Sequence, residues 1–403
     1  MDDISSKVIN ASKWSAFTEI TTKAITPLVF VILARLLTPE DYGVVAAASI
    51  VIGFSQIFSD AGLSSTLIQT REDVSKVATI VFWVNLLFTS LIFLIIFFAS
   101  GWIATLFKDE RIADVLKVQS IILILNGLST THSALFKKAL DFKKLFWVKI
   151  LTVGAPGLAS IPLAYFGYGY WALVVGSLVG ALIQVILLWK IHKWRPAFTI
   201  DKVLVKKILV FSKWVTLEGL LGWFYHWGDS TIIAIYLSTQ ELGLYRNGYS
   251  FIVMVFGFFL SPLTPVIYSY FSNINETKER IATNLLRINK ILASISLFIG
   301  FILCASSGLI EHLFFGTNWT GIYLVISFLA LREGFSWYFG GNFEAYRAVG
   351  KPQVNVILML IGLAYYIPVY FIFIPMGLQT FLVAKLALVF IGHFIHIFAV
   401  SKI

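Results

Sequence analysis

Five polar side chains recur at helical spacing inside the first long apolar stretch: Ser15, Glu19, Thr22, Lys23 and Thr26 share one helix face. A charged stripe turned to lipid would cost about 2.5–3.5 kcal/mol per ion, so this face is expected to meet a wet interior. The competing reading is a self-contained Glu19–Lys23 pair, one turn apart. A second stripe, Glu218, Gly222, Tyr225 and Asp229, falls at i, i+4, i+7 and i+11. Asp229 has no cation one turn away, and a buried carboxylate either finds a partner on another helix or takes up a proton.

Cations are as sparse as carboxylates in the apolar stretches. Arg246 sits a turn inside the end of its segment and raises the alternative of snorkelling. Arg332 and Glu333 are sequence neighbours pointing about 100° apart, so each is expected to find a partner elsewhere. Lys385 has no obvious partner in the sequence and reads as snorkelling, and Arg35, pointing away from the Glu19–Thr26 stripe, reads as structural. His393 and His396 stand at i, i+3 with no third ligand in view, so no metal site is expected.

The elements that carry these residues are set by hydropathy. Mean hydropathy is +0.86, 58% of residues are apolar and 13% are charged, which excludes an ordinary soluble domain. The apolar runs reach about 20 residues, enough to cross a bilayer as helices. About 12 spans are expected. They fall near 14–36, 42–67, 77–100, 113–136, 149–166 and 170–190, then near 212–236, 242–270, 288–309, 320–345, 353–374 and 377–400. Pro27 is expected to interrupt the first span, and Pro262 and Pro265 to weaken the far end of the eighth.

A repeated hinge divides the chain. Thr38 reads as an N-cap, Pro39 as the first helical residue and Asp41 as the capping-box acid, so one membrane helix ends and the next starts at once. The pattern returns 200 positions later as Ser238-Thr239-Gln240-Glu241, and Ser12-Lys13-Trp14 returns at the same offset as Ser212-Lys213-Trp214. The expected fold is an all-α, polytopic integral membrane protein with two six-helix lobes related by a pseudo-two-fold axis along the membrane normal. The lobes would be residues 1–195 and 212–403, joined by a basic linker, 196–211. Stripes on the first and seventh spans are then expected to line a cleft between the lobes.

Charge distribution sets orientation. The net charge of +10 is carried mainly in alternate loops, for example Lys137, Lys138, Lys143 and Lys144, which is membrane topology rather than a nucleic-acid footprint. Both termini are therefore expected in the cytoplasm, with Thr38–Asp41 outside. The acidic start, Met1-Asp2-Asp3, does not read as a cleavable signal peptide, and the single Cys304 allows no disulfide framework. No G-x-x-x-x-G-K-[ST] loop and no H-E-x-x-H occur, and the external loops are short. Neither an ATPase engine nor a glycan polymerase is expected, and no catalytic residue or cofactor is assigned.

The stretch Ala34-Arg35-Leu36-Leu37-Thr38-Pro39-Glu40-Asp41-Tyr42-Gly43 resembles the polysaccharide-transporter branch of the multidrug/oligosaccharidyl-lipid/polysaccharide exporters. So do Phe58-Ser59-Asp60-Ala61-Gly62-Leu63, Phe142-Lys143-Lys144, Trp227-Gly228-Asp229-Ser230, Leu242-Gly243-Leu244-Tyr245-Arg246 and Ala348-Val349-Gly350-Lys351-Pro352. The resemblance implies a flippase for polyprenyl-diphosphate-linked oligosaccharide repeat units of O-antigen or exopolysaccharide. It would work in a bacterial inner membrane, with polysaccharide assembly proteins as further partners. On that reading Lys23, Arg246 and Arg332 are the cations for the diphosphate, and Thr26, Tyr225 and Asn247 join them in binding substrate. Glu19, Glu218 and Asp229 are the carriers of H+ or Na+. An arriving diphosphate is expected to take Lys23 from Glu19 and release that carboxylate to accept a proton. The alternative on the same fold is an ion-coupled multidrug exporter, which would want carboxylates and aromatics without dominant cations.

Overall fold

The computed structural model describes residues 2–60, 62–198, 201–273 and 278–400. Ala61 of the Phe58–Leu63 motif and residues 199–200 of the expected linker lie outside the described residues, as do the side chains of Ser212, Lys213 and Trp214. Among the described residues there is helix and no strand. The chain divides into two compact units, Met1–Trp223 and Phe224–Ile403.

In the first unit, α1 (Asp2–Leu36) runs unbroken over Pro27, so that proline removes one ladder bond without ending the helix. Then come α2 (Pro39–Asp60), α3 (Leu63–Gln69), α4 (Val74–Leu106), α5 (Arg111–Gln119), α6 (Ile121–Lys138), α7 (Phe142–Tyr165) and α8 (Tyr170–Ile191). The next helix, α9 (Lys202–Tyr236), passes from the first unit into the second. The second unit continues with α10 (Thr239–Leu260), α11 (Leu263–Ser272), α12 (Lys278–Ala305), α13 (Ser307–Ile310), α14 (Ile322–Ser336), α15 (Gly340–Ala348), α16 (Pro352–Phe373) and α17 (Leu378–Val400).

Nine helices or end-to-end helix pairs among the described residues are long and apolar enough to cross a membrane, and the pair α10–α11, bent by 47° at Ser261-Pro262, makes a tenth. The other two expected spans are α9, with Glu218 and Asp229, and the α14–α15 pair, with Arg332, Glu333 and Glu344, broken by a tight turn at Trp337–Phe339. The succession matches the expected order of spans, and the protein is an all-α, multi-pass membrane protein. Large apolar side chains such as Phe98, Leu158, Phe298 and Phe394 are exposed, as a lipid-facing surface requires.

Both hinges close as the sequence dictates. The Thr38 hydroxyl accepts from the Asp41 amide at 3.2 Å while the Asp41 carboxylate accepts from the Thr38 amide at 3.0 Å. Ser238 and Glu241 repeat the reciprocal pair, each at 3.2 Å. Asp41 does more, because its other oxygen accepts the Tyr170 amide at 2.9 Å and so ties the start of α8 to the start of α2. Gly169, at φ 53, makes that approach: a Cβ there would lie 2.8 Å from the Asp41 carboxylate. Beside it Arg111 bridges Glu40 and Asp109, both at 2.7 Å.

Each unit has its own apolar interior. In the first, Leu63, Leu67, Val77, Val81 and Ala134 pack α3, α4 and α6 together, and Leu33, Leu37, Ala164 and Ala172 pack α1, α7 and α8. In the second, Ile267, Phe271, Leu285, Leu292 and Ala345 join α11, α12 and α15.

Candidate substrate and ion site

The second unit buries a charged cluster in its interior. Asp229, on α9, is 6% exposed and Lys385, on α17, is 4% exposed. The Lys385 ammonium donates to the Asp229 carboxylate and to the Tyr245 hydroxyl, and Tyr245 donates to Asp229 in turn. The second carboxylate oxygen accepts from the backbone and hydroxyl of Ser230. Opposite charges in contact, with their remaining valences hydrogen-bonded, are the arrangement in which burial of both ions is tolerable. Tyr245, Tyr249, Tyr370 and Phe381 stand around the ammonium with ring centroids 5.2–5.8 Å away, close enough for cation–π attraction.

Two sequence expectations change here. Lys385 does not snorkel: it is the inter-helix partner that Asp229 lacks on its own helix. The stripe on α9 is not uniform either. Glu218 and Tyr225 are exposed whereas Asp229 is covered, because α10 and α17 bring Tyr245 and Lys385 over it.

Arg246 follows Tyr245 on α10 and points to the rim of the same cluster. Its guanidinium lies 3.8 Å from the Trp227 ring centroid and 5.3 Å from that of Tyr249. It donates to the His226 carbonyl and the Ser230 hydroxyl, both at 3.4 Å. Among the described residues it makes no ion pair. Arg332, by contrast, pairs with Glu333 at 2.6 Å, and Trp337 donates to the other oxygen of that carboxylate at 3.2 Å. The expectation of separate partners is corrected: both side chains are long enough to close the 100° between them. Asn247 is buried and donates to the Gly243 carbonyl of its own helix at 2.9 Å. Tyr225 sits edge-on to Tyr366, centroids 5.8 Å apart.

In the first unit, α1 packs on α7 through Trp14 and Phe17, whose rings lie 5.2 and 5.1 Å from that of Phe146. Glu19 and Thr26 are exposed and Lys23 is half-buried. Thr22 donates to the carbonyls of Thr18 and Glu19. In the second unit His393 meets the Phe335 carbonyl at 2.9 Å, and His396 stacks on Phe339, so both rings have structural neighbours.

Sequence reasoning named Asp229 and Arg246 but missed Lys385 and Tyr245 as members of the cluster. A carboxylate and an ammonium each unexplained within its own apolar segment were the available signal.

The family described as polysaccharide biosynthesis protein matches residues 32–324, and the chain belongs to it. It is 22% identical over 366 residues to an uncharacterized membrane protein in the cps region of Klebsiella pneumoniae, covering 90% of this chain and 76% of that protein. It is 24% identical over 321 residues to the succinoglycan biosynthesis transport protein ExoT of Rhizobium meliloti (strain 1021), covering 80% of this chain and 65% of that one. The chain thus spans just under two thirds of the length of ExoT. Among solved structures it shares the fold of the lipid II flippase MurJ in an inward closed conformation, with a TM-score of 0.79 and 17% identity over 98% of this chain and 87% of that one.

Proposed function

We propose that this protein is a flippase that moves polyprenyl-diphosphate-linked oligosaccharide repeat units from the cytoplasmic to the outer leaflet of a bacterial inner membrane, both termini facing the cytoplasm. The carrying observation is Arg246. Lys385 is neutralised by Asp229 and Arg332 by Glu333, whereas Arg246 rests on an indole face with only neutral acceptors. A guanidinium so placed keeps donors for a doubly charged phosphate headgroup. The adjacent Trp227 and Tyr249 offer the aromatic faces and hydroxyl that sugars stack on and bond to.

Coupling follows from the composition of the cluster. One carboxylate, Asp229, pairs with Lys385, and Ser230, which donates to that carboxylate, also accepts from Arg246, so a second cation stands one residue away. A proton on Asp229 would remove its charge and leave both cations to an arriving anion. Proton and diphosphate binding then favour one another, and by linkage each raises the affinity for the other equally. Na+ taking the carboxylate would act in the same sense. Glu19, Lys23 and Thr26 on α1, with Glu218 on α9, are proposed to supply further substrate and ion contacts.

The test is made in cells of the source organism that lack the gene, supplied with variants of the full chain. Wild type should restore surface polysaccharide and clear the lipid-linked repeat units that accumulate on the cytoplasmic face. Arg246→Lys should keep part of that activity and Arg246→Gln should lose it at normal membrane level. Full activity of Arg246→Gln would remove Arg246 from the headgroup site.

A further inference from the structure

The first unit holds a cavity of about 290 Å³ bounded by α2, α3, α4, α6 and α8. None of the charged residues assigned above lines it. Four amides do, from Gln56, Asn85, Asn126 and Gln184, along with the hydroxyls of Thr89, Thr130 and Ser133. Among the described residues no carboxylate lines it, and the one charged residue that does is Lys137, at the exposed end of α6.

The wall is rich in hydrogen-bond acceptors. Thr89 donates to the Leu86 carbonyl at 3.0 Å and Thr130 to the Asn126 carbonyl at 2.7 Å, so each hydroxyl turns lone pairs to its surroundings. Asn85 is 1% exposed, and its side-chain oxygen has no hydrogen-bond partner among the described residues. Such an orphan in a polar cavity calls for a donor from outside the protein. Gly127 makes the wall possible: a Cβ there would sit 2.6 Å from the Thr89 hydroxyl and 3.4 Å from the Asn85 oxygen.

We propose that this cavity binds one neutral sugar ring of the repeat unit, an inference that rests on the flippase reading and names the part of the substrate held by the first unit. Sugar hydroxyls donate to the acceptor wall and accept from the amide NH2 groups, and both kinds of partner are present. A phosphate could accept from the amide NH2 groups and Lys137, but, having no donor of its own as an anion, it would leave the Asn85 oxygen and the threonine lone pairs unmet. A bare coupling ion would leave most of the volume unfilled, since about 290 Å³ holds roughly ten waters and approaches the lower range of small-molecule pockets. An apolar lipid tail would strand the amides.

The experiment uses the purified full chain in lipid nanodiscs, with Cys304→Ser removing the one native thiol and Ser133→Cys placing one in the cavity wall. Labelling by a small methanethiosulfonate reagent is followed with methyl α-glucopyranoside, methyl N-acetyl-β-glucosaminide, inorganic phosphate or sodium chloride as the competing probe. A neutral glycoside should slow labelling by about tenfold once it is present at about ten times its Kd. Asn85→Leu should abolish that protection, and Gln56→Leu, at the exposed rim, should weaken it without risk to the fold. Protection by phosphate or sodium chloride but not by glycosides would overturn the proposal in favour of an ion site. Labelling that no probe slows would leave a water-filled cavity, and a thiol that never reacts would mean that nothing of sugar size enters; either overturns it. The assay needs no translocation, so a chain that binds glycoside yet restores no polysaccharide in cells would sink the flippase reading alone.

Discussion

Lys385 donates to Asp229 across 156 residues of sequence, joining the last helix of the chain to the helix that enters the second unit. Two ions, each costly alone in an apolar interior, become a neutral pair completed by Tyr245 and Ser230. Their neighbour Arg246 remains charged beside them, which leaves one net positive charge in the cluster when Asp229 is ionised.

Removing one member of the pair should be far worse than removing both. Lys385→Met or Asp229→Leu alone leaves an unpaired buried charge, a loss of about 3–5 kcal/mol. The double variant should regain most of that stability while failing to restore surface polysaccharide. Thermal unfolding followed by size-exclusion chromatography checks the first part. Additive losses in the double variant would show that the two residues do not act as a pair.

Charge at Arg246 should matter more than its bulk. Loss of charge-assisted bonds to a headgroup costs about 1.5–3 kcal/mol, or roughly 10- to 100-fold in affinity. The Arg246→Gln protein should therefore show that drop for undecaprenyl diphosphate in nanodiscs, with Arg246→Lys between it and wild type. Equal binding by all three would end the assignment.

The external hinges make a graded series. Ser238→Ala removes one cap bond and should cost about 1 kcal/mol. Asp41→Ala should cost more, because it also frees the Tyr170 amide. Gly169→Ala should resemble Asp41→Ala, since its Cβ would press on that carboxylate in a left-handed backbone. Apparent melting temperatures of the three variants give the order directly.

Topology gives a further check. Reporter fusions at Thr38 and Lys143 should report opposite sides of the membrane, the lysine side cytoplasmic. A shared side would overturn the topology, and a Lys143 fusion outside with Thr38 inside would reverse the orientation and with it the direction of transport.

What the sequence could reveal follows the range of each interaction. The hinges at Thr38–Asp41 and Ser238–Glu241 were readable because both partners of each capping box lie within one turn. The order of membrane helices was readable because apolar length sets it. Arg332–Glu333 was misread because helical geometry gives the direction of a Cβ, not the reach of a guanidinium. Asp229–Lys385 was out of reach, since nothing in either segment specifies which distant helix will face it. The amide-lined cavity of the first unit carries no motif at all. Its residues come from five helices and share only a chemistry, neutral and polar, that sequence patterns do not mark.

The aromatic enclosure of Lys385 gives the protein a built-in clock. An amine ringed by Tyr245, Tyr249, Tyr370 and Phe381 is closed to acylating reagents while the enclosure holds, whereas the lysines at the ends of helices, such as Lys137 and Lys143, are open to them. Modification of Lys385 therefore proceeds only as fast as the cluster comes apart. Mass-spectrometric footprinting of that single amine, in the unaltered protein and in its own membrane, would count the openings of the second unit without any label having been introduced.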